Sequence, residues 1–360
     1  GMRGIASLMV VFPHLSGLWI YTYNGHWRPW EYHVALIQTP LHLKDGGGHL
    51  GVVLFFLISG FIISHVAVKE SRTEFLVKRV VRIFPPLMLA CALMAGASAV
   101  ATSLDLLPII GNTATSVRDY LLSGTLLNYP IDRAPRALSL AWSLYAEILF
   151  YGLVALALPL MKSRPVASTV VLMLAVLGMI LPAKADSLFF FHLHFTAYIP
   201  LFLIGRAFYL ERTGQLAPYH AGMITVANLL IMFLAHDLRV PGSFFHGPAE
   251  LVVNDLIGIL VFYGVMIWPI SRVPMIFKFF ADISYSLYLV HLPVGMLILN
   301  LAHAHGVPFG LGFAGAVSAS VGTAYLSHRF LEAPSQRLVR RWLPKGRART
   351  VPTPESAGTS

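Results

Sequence analysis

Ten times along its 360 residues the chain runs through an apolar stretch of about 18–24 residues, close to the roughly 20 that a helix needs to cross a bilayer. The stretches are 4–22, 50–67, 83–103, 138–161, 166–183, 193–210, 219–236, 249–270, 279–300 and 308–328. Only 12% of the residues are charged, and 56% are hydrophobic. A soluble domain carries about 25% charged residues, so this chain has too little polar surface to coat a globule in water. The expected fold is all-α: a polytopic transmembrane helical bundle of about ten spans. His192 and His194 blur the start of the sixth stretch. Segment 104–137 is long and mixed, which predicts a re-entrant or interfacial piece. We expect one membrane domain over 1–343. The Pro-, Ser- and Thr-rich remainder, 344–360, reads as a disordered cytoplasmic tail. A single cysteine, Cys91, rules out an internal disulfide framework and a Cys-rich metal site.

Charge tests the span count. With the N-terminus in the cytoplasm, 19 of the 26 Lys and Arg residues fall on the cytoplasmic side and seven on the other. That bias is the one expected of a multi-pass protein, with both termini inside. Removing one middle span scrambles it. The net charge of +10 is dispersed over short loops and the tail, so nucleic acid is not an expected partner, whereas membrane lipids are. The first stretch is long for a signal-peptide core and contains Pro13 and His14, which suits a retained helix.

Ionisable side chains inside a span are costly and default to functional hypotheses. His14 lies eleven residues past Arg3, so roughly 16 Å inward at about 1.5 Å per residue. By the same rise Glu147 sits about 14 Å from the outer face and His291 about 18 Å from the inner one. The three groups could meet in one polar cavity. A carboxylate beside a histidine fixes its tautomer and supports the imidazolium, so His14 and Glu147 are the expected catalytic pair. The bland alternatives are a His291 bonded to a carbonyl and a Glu147 paired to an arginine.

A second feature is the sequence KRVVRIFPP at 78–86. Arg79 and Arg82 are spaced i, i+3 and share a helix face near the cytoplasmic surface. Two guanidinium forks there suit phosphate oxygens; the alternative is a topology anchor or lipid-headgroup contact. GGGHLG at 46–51 lacks the Lys-Ser/Thr of a P-loop, and neither a G-x-S-x-G elbow nor an H-E-x-x-H pair is present. No metal site is expected. The outer-side histidines His26, His33, His42, His49, His236, His246, His303 and His305 are scattered and read as loop residues.

Six segments together resemble acyltransferase family 3, membrane enzymes that O-acylate surface glycans and other molecules. Arg3-Gly4-Ile5-Ala6 with His14 resembles its N-terminal signature, and Gly51 to Phe61 its second-helix motif. Arg79-Val80-Val81-Arg82-Ile83-Phe84-Pro85 and Trp142-Ser143-Leu144-Tyr145-Ala146-Glu147 match two more. Ser284 to His291 and Phe330-Leu331-Glu332-Ala333-Pro334 resemble the last two. The family usually has several residues before its first arginine, so the start at Gly1-Met2-Arg3 reads as clipped. The hydrolase-like domain that some members append is not expected from these 360 residues, so the resemblance implies transfer within the membrane domain or by a separate partner.

The resemblance implies acyl transfer from cytoplasmic acyl-CoA, most often acetyl-CoA, to a hydroxyl, with no permanently bound cofactor. Arg79, Arg82 and Arg3 are then the expected phosphate ligands. His14 is the expected base or transient acyl carrier, with Glu147 orienting it. Trp142, Ser143, Tyr288 and His291 are expected to shape the pocket. The favoured acceptor is a surface polysaccharide or lipid-linked glycan, and the favoured location the bacterial inner membrane. A glycosylated small metabolite such as a macrolide is the alternative acceptor. A transporter is the rival from another class, although no internal repeat is visible.

Overall fold

The computed structural model describes residues 1–182, 188–238, 248–268 and 272–342. Among them every regular element is helical, and each of the ten apolar stretches forms a helix. Eight are long: α1 (Met2–Tyr23), α2 (Lys44–Ala67), α3 (Arg72–Ser103), α4 (Ser139–Ser163), α6 (Phe191–Arg212), α7 (Pro218–Asp237), α9 (Met275–Ala304) and α10 (Phe309–Trp342). Two are shorter and apolar: α5 (Pro165–Ile180) and α8, whose apolar part is Val252–Ile267. The protein is a polytopic helical membrane protein. The expected tail lies outside the described residues, as does His246.

Local chemistry sets the helix ends. Ser71 caps α3: its hydroxyl accepts from the Glu74 amide while Glu74 reaches back to the Ser71 amide. Pro165 opens α5 at a position where a missing N–H costs nothing. The sixth stretch, blurred by its histidines, breaks where one helical piece ends at Thr196 and the next begins at Ile199.

Packing places α6 at the centre, with nearly all of its residues buried. It crosses α2 so closely that a Cβ on Gly60 would strike the Phe202 carbonyl, and one on Gly205 the Leu57 carbonyl. Both contacts are with backbone, so neither neighbour can swing aside. Helix α1 packs between α2 and α9, and α9 also packs on α3 and α10. Five helices that carry the motifs are thereby packed together.

Two connections close the wall of that interior. Segment 104–137 carries short helices at Val117–Gly124 and Asn128–Asp132 and is stitched down by Ser139 N–H to Gly111 O (3.0 Å) and Thr113 N–H to Arg136 O (2.7 Å). Within it, amides of Thr115 and Ser116 donate to Asp119, which holds that carboxyl below its usual range. The second connection follows α1. Its short helix Arg28–His33 buries Trp30, and His33 Nε2 bonds Gly46 O at 2.9 Å. The glycine run at the start of α2 then turns into its regular helix, Gly48–Ala67, with φ of 52° at Asp45, 65° at Gly46 and 95° at Gly47. Such angles favour glycine, and a Cβ on Gly46 would also meet the Trp30 ring and Pro13. The run that resembles no P-loop therefore serves a tight turn over the middle of α1.

Candidate active site

Two chambers meet inside the bundle. The larger, about 910 Å³, is lined by His14, Gln38, Lys44, His49 and Trp142 among others. The smaller, about 50 Å³, is lined by Arg3, Ser59, Arg82, Glu147 and Tyr285 among others. Val52 and Tyr288 line both, so they form the partition between them.

His14 faces the large chamber where α1 departs from regular geometry. Residues His14–Leu18 form a π-helical turn directly after Pro13. Such bulges recur at functional sites because they re-aim side chains and free backbone groups. The imidazole meets that of His291 from α9, with Nδ1 to Nε2 at 2.9 Å and the rings almost parallel at 12°. His291 is fully buried, and its Nδ1 lies 3.1 Å from Leu287 O.

These contacts assign the protons. A carbonyl oxygen only accepts, so His291 carries its proton on Nδ1. Its Nε2 is then a lone pair, and His14 donates to it from Nδ1. His14 consequently keeps Nε2 as a free basic nitrogen. If Nε2 takes up a proton, the Nδ1–H bond to His291 is retained, so His291 supports both protonation states of its neighbour.

Glu147 is not the partner of His14, contrary to the sequence expectation. It lines the small chamber, where its Oε1 accepts from Ser59 Oγ (3.1 Å) and from the Tyr151 hydroxyl. The axial rise along two helices explains the displacement. Tyr288 precedes His291 by three residues on α9, and its hydroxyl is 2.7 Å from Ser143 Oγ on α4. Glu147 lies a further turn along α4, which runs in the opposite direction. At 1.5 Å per residue it sits about 10 Å nearer the N-terminal face than His291. It belongs instead with Arg3 and Arg82, on both of which its charge acts.

The two arginines of the Arg-x-x-Arg segment are also separated. Arg82 lines the small chamber with Arg3 from α1. Arg79 does not line it: its guanidinium lies 3.4 Å from Glu70 and over the Phe75 ring at 4.6 Å. Glu70 also receives Lys78 Nζ at 2.9 Å. Arg79 thus fastens the start of α3 to the end of α2.

Of the remaining residues named from the sequence, Ser143 lines the small chamber, Trp142 the large one, and Tyr288 both. Tyr288 donates to Leu140 O at 2.9 Å, and with Ser143 it forms a hydrogen-bonded strut across the partition. Trp142 lines the large chamber and packs edge-on to Phe56 and against Tyr198. Sequence reasoning missed Ser59 and Tyr151, the hydroxyls that hold Glu147. Tyr151 stands one turn after Glu147, a spacing that could have flagged it. It also misplaced His49, which is buried in the first turn of α2 on the large chamber's wall. Among the described residues no group of three or more His, Cys, Asp or Glu is arranged to hold a metal ion.

A family model described as an acyltransferase domain matches residues 1–329. The chain is 26% identical over 345 residues to a protein of Shigella phage Sf6 named O-acetyl transferase, covering 88% of this chain and 93% of the relative. It is also 26% identical over 377 residues to Nodulation protein 10 of Rhizobium leguminosarum bv. viciae, covering 94% of this chain and 92% of that relative. No solved structure matches.

Proposed function

The chain belongs to acyltransferase family 3 and is a membrane O-acyltransferase, and on that footing we propose that it moves an acetyl group from acetyl-CoA to a hydroxyl of a surface or lipid-linked glycan. The transporter reading gives way to the family.

In the proposed reaction His14 Nε2 removes the proton of the acceptor hydroxyl. The oxygen attacks the thioester carbonyl, the new C–O ester bond forms, and the C–S bond breaks. The proton then passes from His14 to the departing CoA thiolate. His291 holds the reactive tautomer throughout. A positioned base of this kind contributes about 10²–10⁴ to a rate. The observation that carries the proposal is the His14–His291 bond on the wall of a chamber that adjoins the arginine chamber.

On the donor side, Arg82 and Arg3 supply positive charge for the CoA phosphates. The small chamber is too tight for a nucleotide, so the nucleotide stays at the N-terminal face and the acyl end advances toward Tyr288. We take that face to be cytoplasmic, from the Lys and Arg bias, and the membrane to be a bacterial inner membrane. Glu147 balances the arginine charges. The acceptor occupies the large chamber, whose size suits a glycan unit: ligand clefts run from about 300 to 1,000 Å³. The proposed partners are acyl-CoA, the glycan and lipid, with no nucleic acid and no permanently bound cofactor.

The test is mass spectrometry of envelope glycans from a strain lacking the gene, complemented by wild type or by His14→Ala. The expected result is an acetylated sugar that returns with wild type and not with the variant. Equal acetylation with both would remove His14 from the chemistry. Unaltered glycans with an unacetylated glycosylated metabolite would move the acceptor to the metabolite class.

A further inference from the structure

The large chamber has a second imidazole–carboxylate arrangement that the proposed mechanism leaves unused. His49, 5% exposed, stands in the first turn of α2 and lines the chamber. Its Nε2 lies 3.4 Å from Oδ1 of Asp255, which is 2% exposed on α8. Among the described residues neither of these two atoms has another hydrogen-bond partner, so each is turned toward the other. The separation is slightly longer than the 2.6–3.2 Å of a formed acid–base pair, as is common before a ligand is bound.

The pair is firmly mounted. Asn254, the residue before Asp255, accepts from the Lys44 amide at 3.2 Å and donates to His42 O at 2.9 Å. Helix α8 thereby fixes the glycine turn from which His49 emerges. A buried aspartate in a spanning helix is expensive and is retained for function or for a partner. With Nε2–H directed at the carboxylate, Nδ1 is the ring's remaining hydrogen-bonding position, a lone pair that accepts from a hydroxyl.

We propose that His49 and Asp255 form an acceptor subsite for a polyhydroxylated sugar, in which His49 binds one hydroxyl, Asp255 positions His49, and a second hydroxyl is left to His14. The inference rests on the assignment of the large chamber to the acceptor. Its surroundings suit that chemistry: Gln38, Thr39, Thr113 and Ser139 line the same chamber with amide and hydroxyl groups, and Lys44 and Asp45 add one charge of each sign. The donor arginines line the other chamber, beyond Tyr288. Fixing one hydroxyl of a sugar at His49 selects which of its neighbours reaches His14, so the pair would set the position of acylation.

The experiment has two measurements on the full-length protein. Alkali-released acetate is assayed on envelopes of the deletion strain complemented with wild type, His49→Ala, Asp255→Ala, Asp255→Asn or the double alanine variant. CoA affinity is measured on the same proteins purified in lipid nanodiscs. The expected result is a tenfold or greater loss of acetate in both alanine variants, with the dissociation constant for CoA within twofold of wild type. The double variant should be no worse than His49→Ala, because the two residues act as one unit. Asp255→Asn should recover part of the loss, since an amide oxygen still accepts from Nε2. Wild-type acetate in His49→Ala overturns the proposal. So does a parallel loss of CoA affinity, which would make the pair a packing element. Failure of the underlying reading looks different: His14→Ala would keep its acetate, or Arg82→Ala its CoA affinity.

Discussion

The two chambers meet at Val52 and Tyr288 yet are built from different chemistry. The small one holds fixed charge: Arg3, Arg82 and Glu147, with Glu147 pinned by Ser59 and Tyr151. The large one carries the imidazoles of His14 and His49 beside amides and hydroxyls, with Lys44 and Asp45 toward the glycine turn. Charge suits the recognition of phosphates, and neutral imidazole suits proton transfer to and from a hydroxyl. Under the proposed function, the contrast places donor binding and proton transfer on different helix turns. A substitution in one chamber should therefore change one kinetic constant and spare the other.

The largest effect should come from the large chamber. His14→Ala is expected to lower the transfer rate by about 10²–10⁴-fold, the range of a lost general base. A smaller loss follows from His291→Ala, where the base remains but its tautomer is no longer held. Leaving the buried His14 Nδ1–H without its acceptor costs about 1–3 kcal/mol, or about 5–150-fold, and His291→Gln should recover part of it by accepting from His14 Nδ1–H. Rates within twofold of wild type in His291→Ala would mean that the pair does not assign the proton.

Turning to the small chamber, Arg82→Ala should weaken CoA binding by roughly 10–100-fold, the equivalent of a charge-assisted hydrogen bond of about 1.5–3 kcal/mol. The loss should shrink as salt is added, because ion pairing is screened. Arg79→Ala sharpens this prediction. Its affinity for CoA should be that of wild type, while thermal stability falls, since Glu70 loses a partner and the α2–α3 connection loosens. If Arg79→Ala and Arg82→Ala weaken CoA equally, the separation of the two arginines is wrong. The smallest effect on chemistry is expected from Gly60→Ala, which should destabilise the α2–α6 crossing by about 1–3 kcal/mol without altering either constant in the protein that still folds.

Much of the architecture was legible because the bilayer imposes one length on every span, and all ten apolar stretches became helices. The site was legible only along the membrane normal. Counting residues from a helix end gives depth with an error of a turn or so, since the ends themselves are uncertain; α9 begins at Met275, four residues before the expected start. That error was harmless for His14 and His291, which do meet. It was decisive for Glu147, which one turn of α4 moves past Tyr288 into the other chamber. Rotation about the helix axis was not legible at all. Arg79 and Arg82 share a face by spacing, but Glu70, arriving from the end of α2, captures the first and leaves the second to the interior. Asp255 was hidden for a different reason: nothing within α8 shows that His49 of α2 would pack against it.

The most direct test of the division between the chambers is to measure CoA affinity and acetyl transfer on the same preparations of His14→Ala and Arg82→Ala. The expected result is a crossed pattern. His14→Ala should bind CoA as wild type does and transfer no acetyl group above background. Arg82→Ala should bind CoA weakly and recover most of its transfer rate at saturating acetyl-CoA. Transfer by His14→Ala at the wild-type rate, or loss of CoA binding by both variants alike, would contradict it.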